Sequence, residues 1–320
     1  MRFRITHSSQ KGIGLLNLHD DELSCIVSIA PEFGGMLHAF TVNAPNGPVN
    51  IINNYANKAA LDQELSLSYK SSKLSPFPCR IENGSYQWQG ISYQFANRFP
   101  DGSAIHGLLF NKNFEIREQN TTAFFSSVLL DYDFNAEDPG YPFHYTCQIR
   151  YTLLPGNTLQ IQTTLTNKDT RPIPIADGWH PYFQLSDTVN NCWLRFPAKG
   201  MLEFSDKLIP TGKILPYQEF NANKPFGATV LDNCFLIDAA AGQPVCELSA
   251  PESGISIRFI TDESYPYLQL YTPPDRKSIA IENLSAAPNC FNNGIGLVEL
   301  APDETKTMTV HYSVQINETN

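Results

Sequence analysis

The chain has 320 residues, with 32 acidic against 22 basic side chains and a formal net charge of −10. Lys and Arg are scattered, so the composition excludes a phosphate-tracking surface for nucleic acid or an anionic membrane, and no apolar run approaches the ~20 residues that span a bilayer. The length suits two ordinary domains or one large all-β domain; without a Ser/Gly tract, a charge block or a repeat period to divide it, one domain over 1–320 is expected.

The seven cysteines are isolated, odd in number and form no C-x-x-C, which argues against a zinc ribbon or a disulfide framework. The opening Met1-Arg2-Phe3-Arg4-Ile5-Thr6-His7 is soon polar and has no h-region. Sequons at Asn83, Asn120, Asn283 and Asn317 therefore lack a secretion signal to support them, and a cytoplasmic protein is expected.

In chain order, Tyr55 to Tyr69 is the one stretch with helical character, rich in Ala, Leu and Glu and free of Pro and Gly. Tyr86 and Trp88, a Gln89-Gly90 turn, then Ile91, Tyr93 and Phe95 predict a short hairpin. A longer one follows: Tyr145, Cys147, Ile149, Tyr151 and Leu153 alternate with polar residues, and beyond Pro155-Gly156-Asn157 so do Leu159, Ile161, Thr163 and Leu165. At the end of the chain Met308, Val310, Tyr312, Val314 and Ile316 share one face, which puts His311 on the polar side as a surface histidine. Many short strands punctuated by 23 prolines and 19 glycines, without βαβ alternation, predict an all-β protein, a large antiparallel β-sandwich.

Three segments carry residues fit for proton chemistry. In Ala176-Asp177-Gly178-Trp179-His180-Pro181-Tyr182-Phe183 a histidine stands among aromatic rings, and Trp179 and Tyr182 offer flat apolar surface to the C–H face of a sugar. His106 follows a strand-like stretch and precedes Gly107, which permits a close approach of backbone or ligand. Glu282 ends the apolar run Ser278-Ile279-Ala280-Ile281, on the face opposite Ile279 and Ile281, where partial burial would raise its basicity. Asn283 to Asn293, rich in Pro, Asn and Ala, reads as a loop leaving that strand.

Other chemistries find less support. His106, His180 and Glu282 form a two-histidine, one-carboxylate set, but no H-x-H, H-x-x-x-H or H-E-x-x-H pair starts a metal site, so no metal is expected. Asp232 and Glu282 are the carboxylates a glycosidase would need, at a separation the sequence does not give. No G-x-S-x-G elbow is present for a nucleophilic serine.

The ordered set Arg80-Ile81-Glu82-Asn83-Gly84, His106-Gly107, Gly178-Trp179-His180-Pro181-Tyr182-Phe183, Leu231-Asp232-Asn233-Cys234-Phe235 and Ile281-Glu282 resembles the aldose 1-epimerase (galactose mutarotase) family. Pro288-Asn289-Cys290-Phe291-Asn292 and Leu300-Ala301-Pro302-Asp303-Glu304 look like it too, and Pro31-Glu32-Phe33-Gly34-Gly35 fits its opening strands. The resemblance implies a galactose mutarotase-like supersandwich whose concave face holds a monosaccharide. It also implies interconversion of α and β anomers through the open-chain aldehyde, without a cofactor, by a monomer or homodimer. By motif position Glu282 looks like the general base at the C1 hydroxyl and His180 like the general acid at the ring oxygen. His106 and Arg80 look like binding partners near the ring oxygen and C1, and Asp232 like the acceptor for a hydroxyl away from C1.

The chain departs from the galactose mutarotases where Gly178-Trp179 precedes His180 and Pro181 follows it, in place of an Asn-His-x-Tyr-Phe motif, which points to a divergent branch. Hexose-6-phosphate mutarotases place an arginine soon after the His-Gly pair. Here Leu108-Leu109-Phe110-Asn111-Lys112 holds none, which disfavours a phosphosugar while Lys112 and Arg98 leave it open. A phosphorylated or modified sugar, and a catalytically silent sugar-binding protein of the same fold, are the alternative readings.

Overall fold

The computed structural model describes residues 2–238 and 242–317. Met1 and residues 318–320, the ends of the expected domain, lie outside them. Three large antiparallel sheets make up the architecture. A five-stranded meander runs from Phe3–Gln10 to Gly47–Asn50. A nine-stranded sheet is ordered Glu115–Thr121, Ser126–Asn135, His144–Leu154, Thr158–Asn167, Thr305–Ile316, Ile255–Thr261, Cys246–Ala250, Trp193–Arg195 and Lys224–Pro225. A six-stranded sheet is ordered Tyr182–Phe183, Ile279–Leu284, Tyr267–Tyr271, Asp232–Ile237, Ala198–Phe204 and Pro210–Leu215.

The alternation read from the sequence is the alternation observed. Leu153 pairs with Leu159 and Cys147 with Leu165 across the long hairpin, so its apolar residues line one face. That face packs on the six-stranded sheet: Phe183 meets Phe259 and Tyr312 edge to face at 4.8 and 5.4 Å. The short hairpin forms as Ser85–Trp88 and Ile91–Gln94. Helix α1 spans Lys58–Ser68; the Asn57 side chain accepts from the Ala60 N–H at 2.9 Å, and Tyr69, at φ 48°, ends the helix in the left-handed region. No helix among the described residues is long and apolar enough to cross a membrane.

Two local expectations are corrected. His311 is half-buried, not a surface residue, and its Nε2 lies 2.9 Å from Gln160 Nε2. Its strand lies in the middle of the nine-stranded sheet, so neighbours on both sides shade even the outward face. The stretch after Glu282 is not all loop: the strand continues to Leu284, and helix α2 spans Cys290–Asn293.

Candidate active site

The outer face of the six-stranded sheet floors a cavity of about 380 Å³, within the ~300–1,000 Å³ usual for small-molecule clefts. Period-2 geometry decides which side chains reach it. In Ile279–Leu284, Ile279 and Ile281 enter the core, while Glu282 turns to the cavity and pairs in register with Gln269 of the next strand. Glu282 lies in an interior strand, and all six residues of that strand are buried.

His180 is delivered by an extended segment held on both sides. The Ser71 N–H donates to the His180 carbonyl at 2.8 Å and the His180 N–H donates to Ser72 O at 3.1 Å. On the other flank the Ser285 N–H donates to Asp177 O at 2.8 Å and the Trp179 N–H to Asn283 O at 3.3 Å. A Cβ on Gly178 would stand 2.6 Å from Leu284 Cδ2, which accounts for glycine in this sandwiched position.

The same alternation overturns the reading of Trp179 as a sugar platform. Its neighbour His180 faces the cavity, so the indole faces inward, 2% exposed, edge to face with Tyr151 at 6.0 Å and with Lys73 Nζ 4.4 Å from its ring centroid. Tyr182, two residues after His180, does return to the cavity wall. Its ring stacks on the His180 imidazole at 5.0 Å and 11°, and its hydroxyl donates to Ser68 O at 3.1 Å, so it braces the histidine.

His106 reaches the cavity from a turn with its own φ at 60° and that of Gly107 at 74°, and its N–H donates to Cys79 O at 2.8 Å. A Cβ on Gly107 would lie 2.3 Å from the Ser75 carbonyl oxygen, so the close approach anticipated for this glycine is to backbone. Gly107→Ala is expected to cost about 2–5 kcal/mol, combining left-handed strain and a backbone clash. A urea midpoint within error of the wild type would refute that.

The reactive groups converge. His180 Nε2 lies 3.3 Å from Glu282 Oε1, and the His106 and His180 rings meet edge to face at 4.9 Å. Asp232 Oδ1 accepts from Gln269 Nε2 at 2.9 Å, and Arg80, which also lines the cavity, pairs with Asp101 at 2.6 Å. Gln269 and Tyr69, a cavity residue 4.7 Å from the His106 ring, have no signal in the sequence, because each enters through strand register or a left-handed helix end. Lys112 and Arg98 line an adjoining cavity, where Lys112 is paired with Glu137.

Burial dominates the electrostatics. Desolvation raises the Glu282 carboxyl well above its ordinary range, with the nearby Asp232 adding to the rise. Desolvation lowers His180 to about 4, and lowers His106 well below its usual value with help from His180 and Arg80. Asp232 is raised by burial, against the pull of Arg80 and Gln269. The empty cavity therefore favours a neutral imidazole beside a carboxylic acid. Ligand atoms of His106, His180 and Glu282 lie within 4.8 Å of one another, a spacing a metal could bridge. Neither histidine Nδ1 has the hydrogen-bond partner that orients metal-bound imidazoles, so the donor set is a poor fit to a metal centre.

Comparison with known proteins agrees with this arrangement. The family model described as aldose 1-epimerase matches residues 18–313. The uncharacterized protein YihR of Escherichia coli K12 is 28% identical over 244 residues, covering 74% of this chain and 77% of that protein. A galactose mutarotase-like protein from Clostridium acetobutylicum superposes with a TM-score of 0.86 at 16% identity over 99% of both chains. The galactose 1-epimerase from Lactobacillus acidophilus gives a TM-score of 0.81 at 16% identity over 99% of this chain and 100% of that one. At such identities these two structures show a shared fold.

Proposed function

The chain belongs to the aldose 1-epimerase family, and we propose that it interconverts the α and β anomers of a free hexose by acid/base ring opening at Glu282 and His180. The observation that carries this reading is the 3.3 Å contact between His180 Nε2 and Glu282 Oε1 at the floor of the cavity. Both oxygens that exchange protons in a hemiacetal are bonded to C1, so acid and base must stand side by side.

The pair needs one proton between its members. Imidazole with carboxylic acid and imidazolium with carboxylate hold the same count, and hydroxyls of a bound sugar donating to Glu282 favour the second form. Glu282 then takes the proton of the C1 hydroxyl while His180 delivers one to the ring oxygen. The C1–O5 bond breaks with its electron pair passing to O5, and a lone pair on O1 completes the aldehyde. Rotation about C1–C2 and the reverse transfers close the ring on the other face. The pair ends with the proton it began with, and no electrons leave the sugar, so the sequence of steps calls for no cofactor.

Arg80 and His106 would bind near C1 and the ring oxygen, while Asp232 and Gln269 hold hydroxyls on the far side. Asp232→Asn is expected to raise KM by roughly 10-fold or more with little change in kcat, the loss of a charged acceptor; a fall confined to kcat would place Asp232 in the chemistry.

The assay is polarimetry of freshly dissolved α-glucose or α-galactose, in which the protein should speed equilibration; a rate equal to the spontaneous one sinks the reading. The pH profile tests the shared proton. Below about 4 His180 takes a second proton and no base remains. Above the raised value of Glu282 the pair loses its proton and no acid remains. Activity should form a plateau whose acid limb lies below the ~6.5 of an ordinary histidine and whose alkaline limb lies above the ordinary glutamate range. An acid limb near ~6.5 would contradict this assignment.

A further inference from the structure

A second cavity, of about 700 Å³, adjoins the first and shares Leu67, Tyr69, Phe99 and Ile105 with it. Rings lead from one to the other: Tyr69 lies 4.7 Å from His106, and Phe99 and Phe110 lie 6.2 and 5.0 Å from Tyr69. Phe33, Phe99 and Phe110 are half-exposed, and Leu67 at the boundary is 73% exposed. Exposed Asp62, Asn97, Arg98 and Asn111 stand around them. Half-exposed rings bordered by amides and charges of both signs suit the apolar face and the hydroxyl rim of a pyranose. A single hexose in the first cavity leaves this surface without a role.

We propose that the second cavity is a subsite for the non-reducing unit of a disaccharide linked through O6 of its reducing hexose. The inference rests on the reading above, which places C1 between Glu282 and His180 and the ring oxygen toward His106. C5 and C6 follow the ring oxygen around the pyranose, so the substituent that passes His106 and Tyr69 is the one on C6. The hydroxyls of C2, C3 and C4 face away from that exit, toward Asp232 and Gln269. The glycosidic bond takes no part, and the free C1 reacts as it does in a monosaccharide.

The test compares glucose, the 6-linked disaccharides melibiose and isomaltose, and the 4-linked maltose. Anomer exchange is followed by NMR magnetisation transfer at equilibrium, and binding by calorimetry. The 6-linked sugars are expected to bind about 10-fold more tightly than glucose, the worth of one aromatic stacking contact, and maltose no more tightly than glucose. Asn97 is exposed and lines the second cavity alone. Asn97→Trp should fill the subsite, erase the 10-fold gain and leave exchange of glucose unchanged. Equal affinity for glucose and the 6-linked sugars overturns the proposal, as does a gain that survives Asn97→Trp or an equal gain with maltose. Tighter 6-linked binding without exchange of any sugar would keep the subsite and sink the reaction, whereas glucose exchange without that gain would do the reverse.

Discussion

Glu282→Gln is expected to lower the anomer-exchange rate by about 10²–10⁴-fold, the usual worth of one positioned proton transfer, with only a modest change in KM. Glutamine keeps the shape and a hydrogen bond to His180 but can neither accept nor store the shared proton. The same substitution should raise Tm at neutral pH. Burial holds the Glu282 carboxyl well above its reference value of 4.5, so the unfolded chain ionises first and folding stability falls as pH rises above that value. The glutamine variant escapes this loss. Its advantage in Tm should shrink as the pH is lowered toward 4.5 and vanish below it. A variant with near-normal exchange removes Glu282 as the base, and one less stable than the wild type at neutral pH contradicts its burial as a protonated acid.

Lys73→Met is expected to destabilise the protein by about 3–5 kcal/mol, the range for breaking a buried ion pair from one side. Lys73 and Asp177 are both fully buried, with Nζ 2.5 Å from the carboxylate. The ammonium also donates to Thr163 Oγ1 at 3.2 Å and to Gly178 O at 3.3 Å, and the Tyr265 hydroxyl donates to Asp177 at 2.7 Å. Burial already raises Asp177, and Lys73 and Tyr265 are what oppose it. Without Lys73 the carboxylate is uncompensated, so the deficit should ease as falling pH protonates Asp177 and widen as pH rises. Adding Asp177→Asn should recover much of the loss, because a neutral amide no longer needs the cation. Because the segment carrying His180 hangs from this pair, exchange should fall in the single variant even below its unfolding temperature. A urea midpoint shift under ~1 kcal/mol would show that the pair is dispensable.

Much of this architecture is written in period-2 alternation. The hairpin of His144–Leu154 and Thr158–Asn167, the strand Thr305–Ile316 and the faces of Ile279–Leu284 follow from the spacing of apolar residues. Helix α1 follows from composition and the absence of breakers. Alternation within Asp177–His180 was the rule that needed applying to Trp179: adjacent residues of an extended segment cannot both face one cavity. An aromatic cluster in the sequence looked like a platform, and only its phase against His180 separated Tyr182, which turns toward the sugar cavity, from Trp179, which packs under it.

By itself the chain of residues determined the all-β class, the strand faces and the three segments that bear His106, His180 and Glu282, since these depend on local spacing and side-chain chemistry. Tertiary structure alone decided that Gln269 stands beside Glu282, that Lys73 neutralises Asp177 and that the two reactive side chains lie 3.3 Å apart. Each of those facts is a pairing between segments distant in sequence. Periodicity says which way a side chain points from its own strand, and is silent on which strand lies next to it.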